Sequence, residues 1–315
     1  MSLATNTLYH GDNLRILREN VPNSTADLVY LDPPFGSNRD YTLAYRGDGG
    51  KTKEAFTDTW RWGGETEAVL ADITSGYPEL GTLLSGIVRG IGATPVTAYL
   101  VMMSPRLLEI HRVLKDTGSL YLHCNPAASH YLKIILDRIF GARHFRNEIA
   151  WAYKGGGRSN RFFARKHDTI FFYTKTDTWT FNYQDILVDR TNRTWFTDEN
   201  GDRYWLKYGK RYYFKHDGKV PEDWWPDIDP LHGPYNERLG YPTQKPLALL
   251  ERIIRASSNE GDLVLDPFCG CGTTLVAAQQ LDRQWIGIDT SAEAVEMTAE
   301  RLTTAFPGIR FDEKE

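Results

Sequence analysis

Two short stretches of this 315-residue chain gather residue types able to do chemistry. The first is Asp32-Pro33-Pro34-Phe35, directly behind the apolar run Asp27-Leu28-Val29-Tyr30-Leu31. Two successive prolines forbid a continuing strand, so the chain must turn. That turn presents a carboxylate, a main-chain carbonyl and an aromatic ring as one stiff group. The second runs from Leu263 to Thr274 and reads as a buried strand, a glycine-containing loop and a helix start. Glycines let backbone approach a ligand closely, and a helix N-terminus offers free N–H groups. Asp289 ends the next strand, where a carboxylate can accept hydrogen bonds from a ribose diol. Asp266, Phe268, Gly270, Gly272, Thr273 and Asp289 are therefore candidates for holding an adenosyl-type ligand. The third glycine of the dinucleotide fingerprint is missing, Leu275 standing in its place, which counts against NAD or FAD. Each stretch also has a plainer reading: Asp-Pro-Pro is a common turn, and glycines can serve packing alone. Their joint presence behind apolar strands favours chemistry.

The elements that must position these loops alternate. An apolar run ending at Gly11-Asp12 leads into an amphipathic stretch through Leu14, Ile16 and Leu17, and then into the strand before Asp32. Residues 36–98 read as an irregular, substrate-facing insert with one helix near Leu80–Val88. Helical spacing over Tyr99–Leu114 precedes a strand at Ser119–Cys124 and a helix at Tyr131–Phe140. Strands are expected at Asn147–Tyr153 and Thr169–Thr174, with the flexible basic stretch Gly155-Gly156-Gly157-Arg158 between them. After Pro242 come a helix (Leu247–Ala256), the strand and loop at Leu263–Thr274, a strand (Gln284–Ile288) and a final helix (Ala292–Leu302). This alternation implies an α/β fold with a doubly wound, mostly parallel sheet. Three parts follow: residues 1–175, a β-rich module of short alternating pieces at 176–235, and residues 236–315.

The formal net charge of −4 does not suggest a nucleic-acid binder, but the distribution of charge does. Arg158, Arg161 and Arg165 cluster in one stretch. Lys207, Lys210 and Arg211 lie in another, interleaved with Tyr204, Trp205, Tyr208, Tyr212, Tyr213 and Phe214. Cations for phosphates and flat rings for bases are what a nucleic-acid surface needs, although a solvated aromatic meander has the same composition. Cys124, Cys269 and Cys271 are too few and too irregularly spaced for a disulfide framework or a four-ligand metal site, so no metal is expected. No apolar run approaches the ~20 residues that span a bilayer, and Met1-Ser2-Leu3-Ala4-Thr5 lacks the layout of a secretion signal, so no membrane contact and a cytoplasmic location are expected.

With both loops in view, the chain resembles the β class of S-adenosylmethionine-dependent DNA amino-methyltransferases over nearly its whole length. Asp32-Pro33-Pro34-Phe35 resembles that family's motif IV, and Phe268-Cys269-Gly270-Cys271-Gly272 its motif I; the catalytic motif comes first, as in that class. The resemblance implies a seven-stranded, Rossmann-like sheet in which the strands before Asp32 and Asp266 lie side by side. It also implies a target-recognition module at 176–235, S-adenosylmethionine as cofactor and double-stranded DNA as substrate. An exocyclic amine has its lone pair delocalised into the ring and is a poor nucleophile. Asp32 and the Pro33 carbonyl would accept its two N–H bonds, Phe35 would stack on the flipped base, and the Pro33-Pro34 turn would hold the group in place. Tyr241-Pro242-Thr243-Gln244-Lys245-Pro246 resembles motif X, which makes Thr243, Gln244 and Lys245 candidates for the methionine part of the cofactor. Gly11-Asp12-Asn13 resembles the segment beside the cofactor adenine, which adds Asp12. Arg165-Lys166-His167-Asp168 resembles the motif VIII region; a phosphohydrolase reading of His167-Asp168 lacks further ligands. Asp32 leans toward adenine N6, with cytosine N4 the alternative. Phe35 stands where tyrosine is commoner, and stacking survives that change. A DNA-binding subunit without catalysis is a third reading, opposed by the intact Asp32 and glycine loop. Similar proteins have a restriction endonuclease partner or form homodimers.

Overall fold

The structure, a computed structural model, describes residues 6–35, 40–44, 52–154, 160–189, 195–214, 218–231 and 237–315. The central sheet is built around β2 (Ala26–Leu31) and β12 (Leu263–Asp266), which pair in parallel through Leu28↔Val264 and Val29↔Leu265. The Asp27 carboxylate fixes this seam, accepting from the Leu263 N–H at 2.9 Å and from Lys115 Nζ at 2.7 Å. Beyond β12 lie β13 (Gln284–Asp289), β1 (Thr7–His10) and a short edge strand, β14 (Asp312–Lys314), all parallel. Beyond β2 lie β5 (Leu114–Cys124), β7 (His167–Thr174), β6 (Phe145–Ala152) and the edge strand β11 (Trp224–Trp225). Only β7 runs antiparallel to both its neighbours. Among the described residues the sheet thus has nine strands, the seven expected plus β11 and β14 at its edges.

Strict alternation in the buried strands feeds two apolar layers, as the period of two requires. Val29, Leu31, Leu263 and Leu265 face one layer; Leu28, Tyr30 and Val264 face the other. The first layer is covered by α1 (Asn13–Asn20), α4 (Pro95–Val113) and α5 (Ser129–Leu136), with α2 (Gly64–Gly76) and α3 (Pro78–Ile91) outside α4. The second is covered by α6 (Leu247–Ser257), α7 (Thr273–Gln280) and α8 (Ala292–Ala305).

The insert at 36–98 is more regular than its sequence suggests. It contains an antiparallel hairpin, β3 (Asp40–Ala44) with β4 (Thr52–Thr57), and two helices instead of the single one expected. Helix α2 buries only Ile73 and so carries no apolar stripe by which a sequence could reveal it. Of the segment 176–235, β8 (Phe196–Thr197), β9 (Arg203–Lys207) and β10 (Lys210–Tyr213) form a separate three-stranded antiparallel sheet, whereas β11 joins the central one.

The place of the missing third glycine has a structural answer in Gly287 on β13. A Cβ there would lie 2.5 Å from Leu275 Cδ2 and 3.2 Å from Cys269 Sγ, so the space for Leu275 is made by the strand instead of by α7. Gly287→Val is expected to destabilise the fold by about 2 kcal/mol through overpacking. A lowered denaturation midpoint with unchanged slope would show this, and adding Leu275→Ala should restore part of the loss. Among the described residues no helix is long and apolar enough to cross a membrane.

Candidate active site

A cavity of about 510 Å³ opens where the carboxyl ends of β1, β2, β12 and β13 converge, with helices leaving toward opposite faces of the sheet. This is the switch point at which open α/β sheets bind ligands. Asp32, Pro33, Pro34 and Phe35 line it, together with Asp12, Thr243, Gln244, Lys245, Asp266, Phe268, Gly270, Thr273 and Asp289. Gly272 sits behind them as the left-handed N-cap of α7.

The Asp32 carboxylate is asymmetric. Oδ2 forms an ion pair with Lys245 Nζ, which also donates to the Thr243 carbonyl at 3.1 Å and lies 5.4 Å from the Phe35 ring centroid. Oδ1 is buried and has no hydrogen-bond partner. A buried acceptor left unmade is costly, and such atoms mark places where a ligand completes the bonding. Thr243 adopts a left-handed backbone (φ 61°), which turns the Lys245 side chain into the site. Lys245 thus sits on the catalytic carboxylate, while Gln244 spends its amide on the neighbouring loop. Gln244 donates to the Glu237 carbonyl at 2.7 Å and accepts from the Leu239 N–H at 2.9 Å.

The glycine loop is held by two carboxylates with different duties. Asp266 is buried and turns both oxygens inward, Oδ1 accepting from the Phe268 N–H at 3.0 Å and Oδ2 from the Thr274 hydroxyl at 2.5 Å. Burial pushes its carboxyl up to about 7 despite these bonds. Asp289 accepts from the Gly270 N–H at 2.8 Å and the Ser291 N–H at 2.9 Å while remaining on the cavity wall. Gly270 (φ 51°) and Gly272 (φ 75°) are left-handed, and a Cβ at Gly272 would lie 2.6 Å from Thr298 Cγ2. Thr273 Oγ1 accepts from Arg301 at 2.9 Å.

Several positioning residues carried no signal in the sequence. Asn13 Nδ2 donates to the Pro267 carbonyl at 2.7 Å and its Oδ1 accepts from Arg106 at 2.7 Å, tying the first loop to the glycine loop. Arg106 also pairs with Asp12 at 2.6 Å, and Asp12 caps α1 through the Arg15 N–H. His123 at the end of β5 is completely buried behind Asp32; a polar residue closing an apolar strand was its only sequence mark.

The predicted DNA-facing residues fall in two places. Arg161 and Arg165 are exposed on the β6–β7 connection, beside Phe163, which is 97% exposed. The pairing Cys124↔Thr169 sets this connection at the same end of the sheet as Asp32. Arg158 lies outside the described residues. Lys207, Lys210 and Arg211 are exposed on the three-stranded sheet, Lys207 opposite Lys210 and the Arg211 guanidinium 4.8 Å from the Tyr204 ring centroid. Among the described residues no group of His, Cys, Asp or Glu is placed to hold a metal ion.

An open α/β sheet with an adenosyl-type loop beside a rigid Asp-Pro-Pro-Phe turn defines a Rossmann-like methyltransferase. The DNA methylase family model matches residues 26–300, and the chain belongs to the S-adenosylmethionine-dependent N6/N4 DNA methylase family. It is 36% identical over 212 residues to the type II methyltransferase M.HpaI of Haemophilus parainfluenzae, a match covering 67% of this chain and 62% of that one. It is 28% identical to the DNA adenine methyltransferase YhdJ of Escherichia coli K12, over 95% of this chain and 83% of the relative. In fold it is similar to a DNA modification methylase of Thermus thermophilus, solved in complex with S-adenosyl-L-methionine, with a TM-score of 0.57 and 18% identity over 98% of each chain.

Proposed function

We propose that the protein methylates the exocyclic N6 of an adenine flipped out of double-stranded DNA at a short specific sequence. The observation that carries this reading is Asp32 Oδ1, a buried acceptor without a partner, beside the Phe35 ring and the Pro33 carbonyl. Those groups match an aromatic amine with two N–H bonds to donate. Lys245 on the other oxygen favours the ionised carboxylate and leaves one acceptor for the base.

The cavity fits the cofactor on its own chemistry. Its volume lies in the range of small-molecule sites. Its wall carries six carboxyl groups (Asp12, Asp32, Asp58, Asp266, Asp289 and Glu293) against Arg106 and Lys245, a balance that suits a cationic sulfonium. When bound, S-adenosylmethionine supplies the electrophilic methyl group. Asp289 would hold the ribose, Phe268 and Gly270 the adenosyl face, Asp12 the adenine side, and Thr243 and Gln244 the methionine end. Asp266, Gly272 and Thr273 shape the loop, and Lys245 serves Asp32.

The three-stranded sheet of β8–β10 is the target-recognition surface in this reading, with the exposed Arg161 and Arg165 as further phosphate contacts. Replacing Lys207, Lys210 and Arg211 together by glutamine is expected to weaken DNA binding and to lower the slope of log affinity against log salt by about 3, near 0.9 per lost phosphate contact. An unchanged slope would mark these cations as a solvated face.

Cytosine N4 presents the same two N–H bonds, and the family includes both chemistries. Nucleoside mass spectrometry of unmethylated, sequence-diverse DNA after incubation with isotopically labelled S-adenosylmethionine decides between them. Label in N6-methyladenine supports the proposal, label in N4-methylcytosine replaces the substrate, and no label removes the catalytic reading.

A further inference from the structure

Behind Asp32 lies a buried polar cluster that the functional reading does not use. His123, 0% exposed, has Nδ1 3.0 Å from the Tyr30 hydroxyl and Nε2 3.3 Å from Asp168 Oδ2. A carboxylate can only accept, so Nε2 carries the proton and Nδ1 is the basic nitrogen. That nitrogen is 3.9 Å from Asp32 Oδ1, the oxygen left without a hydrogen bond. The ring is fixed by Phe35 at 5.5 Å and Trp151 at 5.6 Å between centroids. Asp168 also accepts from Tyr153, and its side chain reaches solvent at 21% exposure. Burial alone would raise the Asp168 carboxyl, but the His123 hydrogen bond and the charges of His123, Lys245 and His167 hold it below the ordinary range.

We propose that His123 is a positioning residue that relays the product proton from Asp32 toward Asp168, an inference that rests on the methyl-transfer reading above. As the amine lone pair forms the new N–C bond, the S–C bond breaks and its electron pair stays on sulfur. The nitrogen sheds one proton to Asp32 Oδ1, which passes it to His123 Nδ1. Nε2 then releases its proton to Asp168 and on to water, so the ring ends neutral and Asp32 is again an acceptor. A carboxylate, an imidazole and a second carboxylate in line are a proton path with its orienting group, the arrangement general-base chemistry needs. The groups facing His123 are Tyr30, Asp32 and Phe35 from β2 and its loop, Trp151 from β6, and Asp168 from β7, with Lys245 across Asp32.

The test compares wild type with His123→Gln, which keeps hydrogen-bonding groups but cannot take up a proton, in single-turnover methyl transfer across pH. In the wild type the rate should rise with pH as His123 becomes neutral, and His123→Gln should be slower by about 100-fold and lose that acid limb. Cofactor and DNA affinities should hold. Nitrogen-15 NMR of the unligated protein, assigned with the same variant, should show neutral His123 with its proton on Nε2. Should His123→Gln fail to fold, Asp168→Asn replaces it: losing the carboxylate lowers the basicity of His123, so the limb should move to lower pH. Without wild-type turnover it is the functional reading that fails. With turnover present, a His123→Gln rate within about twofold of wild type at every pH, a loss equal at all pH values, an unmoved limb in Asp168→Asn, or a proton on Nδ1 overturns the relay.

Discussion

Asp32→Ala is expected to reduce methyl transfer by about 10³-fold or more while leaving cofactor affinity within a few-fold of wild type. The carboxylate contributes where the amine pyramidalises, so its removal acts on the transition state and hardly on ground-state binding. The substitution also strands Lys245, whose ammonium loses the carboxylate that balances it inside the cavity. Asp32→Asn keeps an acceptor but not the charge, and should fall between wild type and alanine. Single-turnover rates with labelled cofactor, set beside calorimetric binding, separate the two effects. Loss of cofactor binding with retained turnover would sink the assignment of Asp32.

Asp289→Ala should have the opposite signature, weakening cofactor binding by roughly 100-fold or more while DNA affinity stays put. Two backbone N–H groups, of Gly270 and Ser291, end on this carboxylate. Hydrogen bonds to charged groups contribute about 1.5–3 kcal/mol each, and here they also set the curvature of the loop that meets the ligand. Equilibrium titration with S-adenosylmethionine, alongside the thermal midpoint of the free protein, tests it. Unchanged affinity would mean that the carboxylate only braces the loop and that the ribose lies elsewhere.

Much of the core was legible in the sequence because burial on both faces leaves little freedom. The strands before Asp32 and Asp266 are continuous apolar runs bounded by breakers, and they were expected side by side, as β2 and β12 are. Helix α2 was not legible, since a helix with one buried residue has no periodicity to read. The site was legible where chemistry needs unusual residue types, as in two prolines or a glycine pair. It was not where the role comes from packing between distant segments. Nothing near Lys245 in sequence points to Asp32, 213 positions away. Gly287 looks like an ordinary strand residue until Leu275 is set against it, and His123 acquires meaning only from Asp168 on the neighbouring strand. Such roles follow from register, and register is a property of the folded sheet.

The seam between β2 and β12 also governs when the molecule can act. Asp27 on one strand holds Leu263 on the other from 236 positions away, and the two loops that form the cavity hang from the ends of those strands. Parallel pairing between such remote segments is slow, because the chain must close a long loop before any contact rewards it. A partly assembled chain therefore has a base-side loop with no cofactor wall opposite, or the reverse. Competence to mark DNA switches on in a single late event, when the centre of the sheet closes, so immature molecules cannot leave stray marks on the genome.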